Sequence, residues 1–357
     1  MLAYRYPASI ESPPSSPSIC KFTLKSCKGS HQLTESCESG LFVLEYNRCI
    51  QKTDHVQEED WIMTNHNTSE ISYDVPAKIN LYLDITGQRA DGYHLVNMLM
   101  QTISLYDRVT LSRCREADYM TCSMEGLEID DSNLCMKALR RMKEHFHLTG
   151  NYHIHLEKKI PMAAGLAGGS ADAAALIRAL ETLEGIETKT RELEEIAVKL
   201  GADVPYCLTG GGMLCEGIGE ILTPIQGMPR THVLLIKPPV GVSTKEVYEA
   251  YDSCDNVDHP DTALLINKAM DGQMHSFAEH MKNVLEQVTA PKHPIINELE
   301  VALRKNGAYG SMMSGSGPTV FGLFDTEERC KAAYDHLSLQ YPGFEIFMAH
   351  FTEATWN

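Results

Sequence analysis

An α+β fold in two lobes is what this sequence predicts. Its strands and helices follow one another without the regular β-α alternation of a doubly wound sheet. At 357 residues the chain exceeds what one core usually organises. A buried strand over 231–237 runs into Pro238-Pro239, which marks a junction. The reading divides the chain into an extension over 1–70, a domain over 71–228 and a second domain over 229–357.

The extension differs from the remainder. Pro13-Pro-Ser-Ser-Pro17 and clusters of Ser, Thr and Cys dominate it, with one short strand over 41–46. Disorder or loose packing is the expectation. Its Ser-rich start fits a transit segment, but residues 54–60 are too acidic for one. We favour a natural start at Met63, with the preceding segment a spurious translation.

Organisation begins at 74. Residues 77–85 alternate strictly, with Ile79, Leu81, Leu83 and Ile85 on a core face and Lys78, Asn80, Tyr82 and Asp84 on a polar face. Residues 89–94 form a turn, and 107–112 and 152–157 form further strands. Helices are expected over 133–147, 170–184 and 190–200, the last stopped by Gly201. Beyond the diproline, helices are expected near 245–251, 262–270, 274–289 and 294–305, then a strand over 319–324.

Bulk properties exclude several functions. The net charge of −17 argues against nucleic acid, whose phosphates need basic patches. The sequence has no run of about 18 apolar residues, so no membrane span is expected. Eleven scattered cysteines without Cys-x-x-Cys pairs read as reduced thiols of a cytoplasmic protein. His153, His155 and Glu157 share one strand face at a spacing zinc can use, but without an evident fourth ligand they read as a solvent face.

Residues 161–172, Pro-Met-Ala-Ala-Gly-Leu-Ala-Gly-Gly-Ser-Ala-Asp, lie between a strand and a helix. Gly165, Gly168 and Gly169 let the backbone approach a ligand, and the helix start offers free N–H groups and partial positive charge. Together these describe a phosphate site. The run is neither a P-loop nor Gly-x-Gly-x-x-Gly, and the bland reading is a glycine turn that lets helix and sheet pack. Lys78 and Asn80 share a polar strand face, and Asp203 stands in a short loop after a helix. Taken alone, Lys78 and Asp203 read as a plain salt bridge.

With residues 161–172, four further segments resemble the GHMP superfamily of small-molecule kinases over about 75–357. They are Pro76-Ala-Lys-Ile-Asn-Leu81, Arg89-Ala-Asp-Gly-Tyr-His94, Gly201-Ala-Asp-Val-Pro-Tyr206 and Met313-Ser-Gly-Ser-Gly-Pro318. Their order and spacing are similar to those of the 4-diphosphocytidyl-2-C-methyl-D-erythritol kinase family. The family usually has Gly at position 167 and often Ser at 171, where this chain has Ala167 and Ala171. The methyl at 167 costs little if that residue has negative φ.

The resemblance implies a two-lobed GHMP-kinase-like fold, with a ribosomal-protein-S5-like N-terminal domain and a ferredoxin-like C-terminal domain. It implies ATP-dependent phosphorylation of the 2-hydroxyl of 4-diphosphocytidyl-2-C-methyl-D-erythritol in the non-mevalonate route to isoprenoids. Asp203 would accept the proton of the attacking alcohol and Lys78 would orient both groups. ATP would lie on Pro161, Met162, Ala163, Ala164, Gly165, Leu166, Ala167, Gly168, Gly169, Ser170 and Ala171, with Ser170 offering a hydroxyl to phosphate or Mg2+. Tyr93 and His94 would stack one side of the cytosine, and Tyr248, with Thr244 nearby, the other; Asn80 would reach the substrate from the strand. For Tyr248 a half-buried packing role beside Ala250 and Tyr251 competes. The implied partners are small molecules only, with the protein a monomer or homodimer. Two alternatives remain: a sibling kinase for homoserine or a mevalonate derivative, whose substrates carry no base to stack, and a silent ligand-binding regulator, which intact Lys78 and Asp203 oppose.

Overall fold

The computed structural model describes residues 21–27, 30–37, 40–46, 69–188 and 190–353. The chain divides into two compact units, 1–67 and 68–357. In the first, β1 (Lys21–Cys27), β2 (Ser30–Cys37) and β3 (Gly40–Tyr46) form an antiparallel meander. The strand expected over 41–46 falls in β3. The rest of residues 1–68, including Met63 and the acidic 54–60, lies outside the described residues.

The second unit begins with a long hairpin, β4 (Glu70–Gln88) and β5 (His94–Cys114), closed by a turn in which Gly92 has φ 90°. There follow β6 (Tyr119–Cys122), α1 (Leu134–Phe146), β7 (Asn151–Glu157), α2 (Gly168–Glu184), α3 (Thr190–Val198), α4 (Val204–Thr209), β8 (Gly212–Glu216) and β9 (Ile221–Pro224). The strands form one sheet in the order β6-β7-β5-β8-β9, with β4 paired to β5. Asn133 caps α1 by accepting from the Cys135 N–H at 2.9 Å, and Gly185 ends α2 in the left-handed region. Ala171, Ala173, Ala174 and Ala175 are all buried, so α2 packs closely on α1, α4, β4 and β5.

Next come β10 (His232–Lys237), α5 (Thr244–Asp252), α6 (Thr262–Met270), α7 (Met274–Ala278), α8 (Glu286–Thr289), α9 (Ile295–Lys305), β11 (Gly310–Met313), β12 (Val320–Phe324), α10 (Glu327–Gln340) and β13 (Glu345–His350). Their sheet is antiparallel throughout, in the order β11-β12-β10-β13. Numbered within the lobe this is 2-3-1-4, with helices after the first and third strands, which is the ferredoxin-like arrangement.

Two expectations are corrected. The alternation over 77–85 breaks at a register shift between Asn80 and Tyr82. Ala77, Ile79, Leu81 and Tyr82 pack in the core shared with the C-terminal sheet, whereas Leu83 and Ile85 pack with α2. One extra residue in a bulge moves everything after it to the other face. The supposed polar face is also buried, because α2 and its loop cover it; Lys78 and Asn80 are almost inaccessible. The expected helix over 274–289 is two short ones, α7 and α8. Between them, residues 282–284 run beside β4, where the Leu83 N–H donates to Lys282 O and the Val284 N–H to Leu83 O, each at 3.0 Å.

Candidate active site

The loop between β7 and α2 turns through three residues with positive φ: Ala163 (48°), Gly165 (73°) and Ala167 (57°). At Gly165 a Cβ would lie 2.2 Å from Ser314 O. This glycine makes room for the second loop, 314–318, not for a ligand. The Ser314 hydroxyl donates to Gly165 O at 3.0 Å, and the Lys78 N–H donates to Leu166 O at 3.2 Å. A Cβ at Gly168 would press on Ile160 and Lys158, so that glycine too answers to packing. Only Gly169, where a Cβ would meet nothing closer than Leu134 at 3.7 Å, keeps the open approach expected of all three.

Ala167 is the N-cap residue of α2 and sits in the left-handed region, against the condition of negative φ. A methyl there costs about 1–2 kcal/mol relative to glycine. Having no side-chain oxygen, Ala167 cannot cap the helix. The Ala171 N–H is the first to bond inside it, to Ala167 O at 2.9 Å, which leaves the N–H groups of 168–170 directed at the cavity mouth. No acidic residue in the first turn offsets the helix dipole. The Ser170 hydroxyl stands beside Gly201, next to the turn that carries Asp203.

Lys78 on β4 and Asp203 at the start of α4 meet here. Their Nζ and Oδ2 are 3.6 Å apart, with Lys78 5% and Asp203 30% exposed. The Lys78 ammonium also donates to Asn80 Oδ1 at 2.7 Å, and Asn80 Nδ2 reaches Met98 Sδ at 3.2 Å. Asp203 precedes Pro205 and makes no capping bond, so its carboxylate is left for the cavity. A buried lysine held by one amide and one partly open carboxylate differs from a surface ion pair, where both partners face water.

These groups line one cavity of about 820 Å3. Its lining includes Leu127, Asn133, Leu134 and Met162, together with Lys158 and Asp172. Lys158 Nζ bonds Asp172 Oδ2 at 2.6 Å and also Asp107, all three side chains being buried. Burial pushes the Asp172 carboxyl up to about 7; Lys158 opposes this and Asp107 adds to it. Burial pulls Lys158 down, but the two carboxylates outweigh it and hold the ammonium above its ordinary value. The triad comes from β5, β7's end and α2, three elements whose sequence carries no shared motif, and the sequence reading missed it. Asp172 closing the glycine run was the available signal.

Val242, Thr244, Tyr248, Gly315 and Ser316 line the cavity as well. The Thr244 and Ser316 hydroxyls lie 2.8 Å apart. Burial, with Asp203 adding, pushes the Tyr248 phenol up to about 12. Tyr93 and His94 do not line the cavity: Tyr93 is 59% exposed, and His94 packs against Tyr248 with ring centroids 4.8 Å apart and bonds Asp252 at 2.6 Å. Leu166 and Ala171 are likewise off the cavity, with their side chains in the core. Lys78, Asn80, Asp203, Thr244, Tyr248 and the other loop residues from Pro161 to Ser170 come together.

Comparison with known proteins places this arrangement. Residues 133–211 match the model "GHMP kinases N terminal domain" and 263–343 match "GHMP kinases C terminal". A 4-diphosphocytidyl-2-C-methyl-D-erythritol kinase from Alkaliphilus oremlandii is 45% identical over 267 residues, 74% of this chain and 91% of the relative. A crystal structure of 4-(cytidine 5'-diphospho)-2C-methyl-D-erythritol kinase superposes with TM-score 0.67 at 29% identity, over 79% of this chain and 99% of that one. A homoserine kinase structure from Cytophaga hutchinsonii superposes with TM-score 0.66 over 85% and 98%, but at 19% identity it shows the fold alone. The fold class is thus that of the GHMP kinases. Within it, the chain belongs to the family of 4-diphosphocytidyl-2-C-methyl-D-erythritol kinases.

Proposed function

We propose that this protein transfers the terminal phosphoryl group of ATP to the 2-hydroxyl of 4-diphosphocytidyl-2-C-methyl-D-erythritol, giving the 2-phosphate and ADP in isoprenoid biosynthesis. The observation that carries this reading is the meeting of Lys78 and Asp203, 3.6 Å apart, beside the uncapped start of α2 in one cavity. The N–H groups of 168–170 hold the triphosphate. Asp203 takes the proton of the acceptor hydroxyl as its oxygen attacks the terminal phosphorus, and the bond from that phosphorus to ADP breaks. Lys78 orients the carboxylate and the hydroxyl, and its ammonium offsets the negative charge of the transferring group. The Ser170 hydroxyl is an oxygen donor of the kind Mg2+ takes, and the ion when bound neutralises phosphate charge. Tyr248, backed by His94, offers a ring on which a pyrimidine stacks.

We also propose a cytoplasmic setting, a reading supported by the free thiols at Cys135, Cys207 and Cys215. Among the described residues no helix is long and apolar enough to cross a membrane. The test is ADP release from ATP and Mg2+ with a panel of the cytidine diphosphate polyol, homoserine and mevalonate. Release with the first alone supports the reading, and release with either of the others in its place rejects it.

A further inference from the structure

Behind the cavity wall lies a polar cluster that the mechanism above does not use. It begins at Asn283, buried in the stretch between α7 and α8. Its amide donates to Met313 O at 2.9 Å and to Gly315 O at 2.7 Å, while its own oxygen accepts the Leu285 N–H at 3.0 Å. One residue on from Leu285, Glu286 Oε2 accepts the Met313 N–H at 2.8 Å. Both backbone groups of Met313 are therefore held by side chains of one short segment. The next residue, Ser314, is fully buried between the two halves of the site: its hydroxyl accepts the Asn80 N–H at 3.3 Å and donates to Gly165 O at 3.0 Å. Asn80 in turn holds Lys78. A continuous set of hydrogen bonds thus runs from Asn283 and Glu286 to the glycine turn and the catalytic lysine.

Glu300 on α9 completes the cluster and makes it unusual. Its Oε1 is buried with no hydrogen-bond donor among the described residues, and the carboxyl as a whole feels the charge of neighbouring Glu286. Among the described residues the cation paired with Glu300 is Arg304, 3.8 Å away, and its guanidinium is engaged by the Ser311 hydroxyl at 2.8 Å and the Ser311 carbonyl at 3.0 Å. Two neighbouring, partly buried carboxylates with so little positive charge pay a penalty to be ionised together. A shared proton removes that penalty and gives the orphaned oxygen a partner.

We propose that Asn283 and Glu286 are positioning residues for phosphoryl transfer, and that Glu300 shares a proton with Glu286 so that the pair holds the 313–317 loop against the glycine turn. The proposal rests on the kinase reading of the site for its effect on turnover, but not for the shared proton. Glu286 on α8 and Glu300 and Arg304 on α9 are the titratable groups of the cluster; β11 contributes Ser311, Met312 and Met313, which do not titrate. Burial, with Glu286 adding and Arg304 opposing, pushes the Glu300 carboxyl up to about 9. Burial also raises Glu286. The folded protein therefore binds a proton that the unfolded chain releases near the ordinary carboxyl value. Stability from this source is complete at acid pH and is lost as pH rises through the folded value.

The experiment has two readouts on the wild-type chain and four variants. Thermal melting is followed from pH 5 to pH 10 for wild type and Glu300→Gln, whose amide donates to Glu286 without titrating. The melting temperature of the variant should gain on wild type up to about pH 9 and then level off; parallel curves overturn the shared proton whatever the enzyme does. Turnover is then measured for Asn283→Ala, Glu286→Ala and Glu286→Gln. Asn283→Ala and Glu286→Ala should lower kcat about tenfold or more with KM changed far less, since misplaced walls cost rate before binding. Glu286→Gln keeps an acceptor for the Met313 N–H and should restore kcat to within about threefold of wild type. Wild-type kcat in both alanine variants, or equal loss in Glu286→Ala and Glu286→Gln, overturns the positioning role. Failure of the wild-type chain to use the cytidine diphosphate polyol rejects the kinase reading instead and leaves the melting comparison to judge the proton.

Discussion

Two parts of the cavity lining are built differently. At the glycine turn, geometry is set by backbone against backbone: Gly165 against Ser314, Leu166 against Lys78, and a helix start with three N–H groups directed one way. Around Tyr248 it is set by side chains: Tyr248 on His94, and the Thr244 hydroxyl on that of Ser316. Backbone walls are rigid and leave a strict sequence trace, because few residues tolerate the dihedrals and the contacts. Side-chain walls tolerate substitution and adjust to the ligand. The first part should therefore fail sharply when altered, and the second gradually.

The largest effect is expected at the join between them. Lys78→Met removes the ammonium while keeping the length of the chain, and kcat should fall by about 10²–10³. An undiminished kcat would mean that the lysine only seals the interior. Gly165→Ala comes next. It places a Cβ 2.2 Å from a backbone oxygen at a positive φ, so a stability loss of about 3 kcal/mol or more is expected in denaturant unfolding. Retained stability would show that the two loops separate freely. Tyr248→Ala should weaken binding of the cytidine diphosphate polyol by about 1–3 kcal/mol, read as KM, with ATP affinity unchanged. Should the loss appear in melting temperature and not in KM, Tyr248 is a packing residue. The smallest effect is a gain: Ala167→Gly relieves the left-handed alanine and should raise stability by about 1 kcal/mol, less the entropy that glycine adds to the unfolded chain.

The same contrast explains what could be read in the sequence. The glycine turn was legible because it sits in a short run whose residue types are constrained together, whereas Lys78 and Asp203 alone read as a salt bridge and stood out only through the resemblance. The ferredoxin-like lobe was legible only through resemblance, since β11, α10 and β13 carry no strong period of their own. Leu81 misled the strand reading: a bulge leaves no mark in an apolar alternation, yet it sends Leu83 and Ile85 to the opposite core. The stretch 274–289 misled the helix reading because apolar spacing suits a helix, while the pairing of 282–284 with Leu83 is a tertiary choice. The open reason given for Gly165 and Gly168 was half of the truth, as their true neighbours come from Ser314 and Lys158. The Asp107, Lys158 and Asp172 triad and the Glu286 and Glu300 pair unite residues far apart in the chain, and no local pattern announces such meetings.

Replacement of Asp203 by Asn bears most directly on the central idea, that this carboxylate accepts the proton of the alcohol. In Asp203→Asn, turnover of the cytidine diphosphate polyol should fall by about 10²–10⁴ while ATP affinity stays within about twofold. Turnover within tenfold of wild type, with ATP bound normally, would contradict the account.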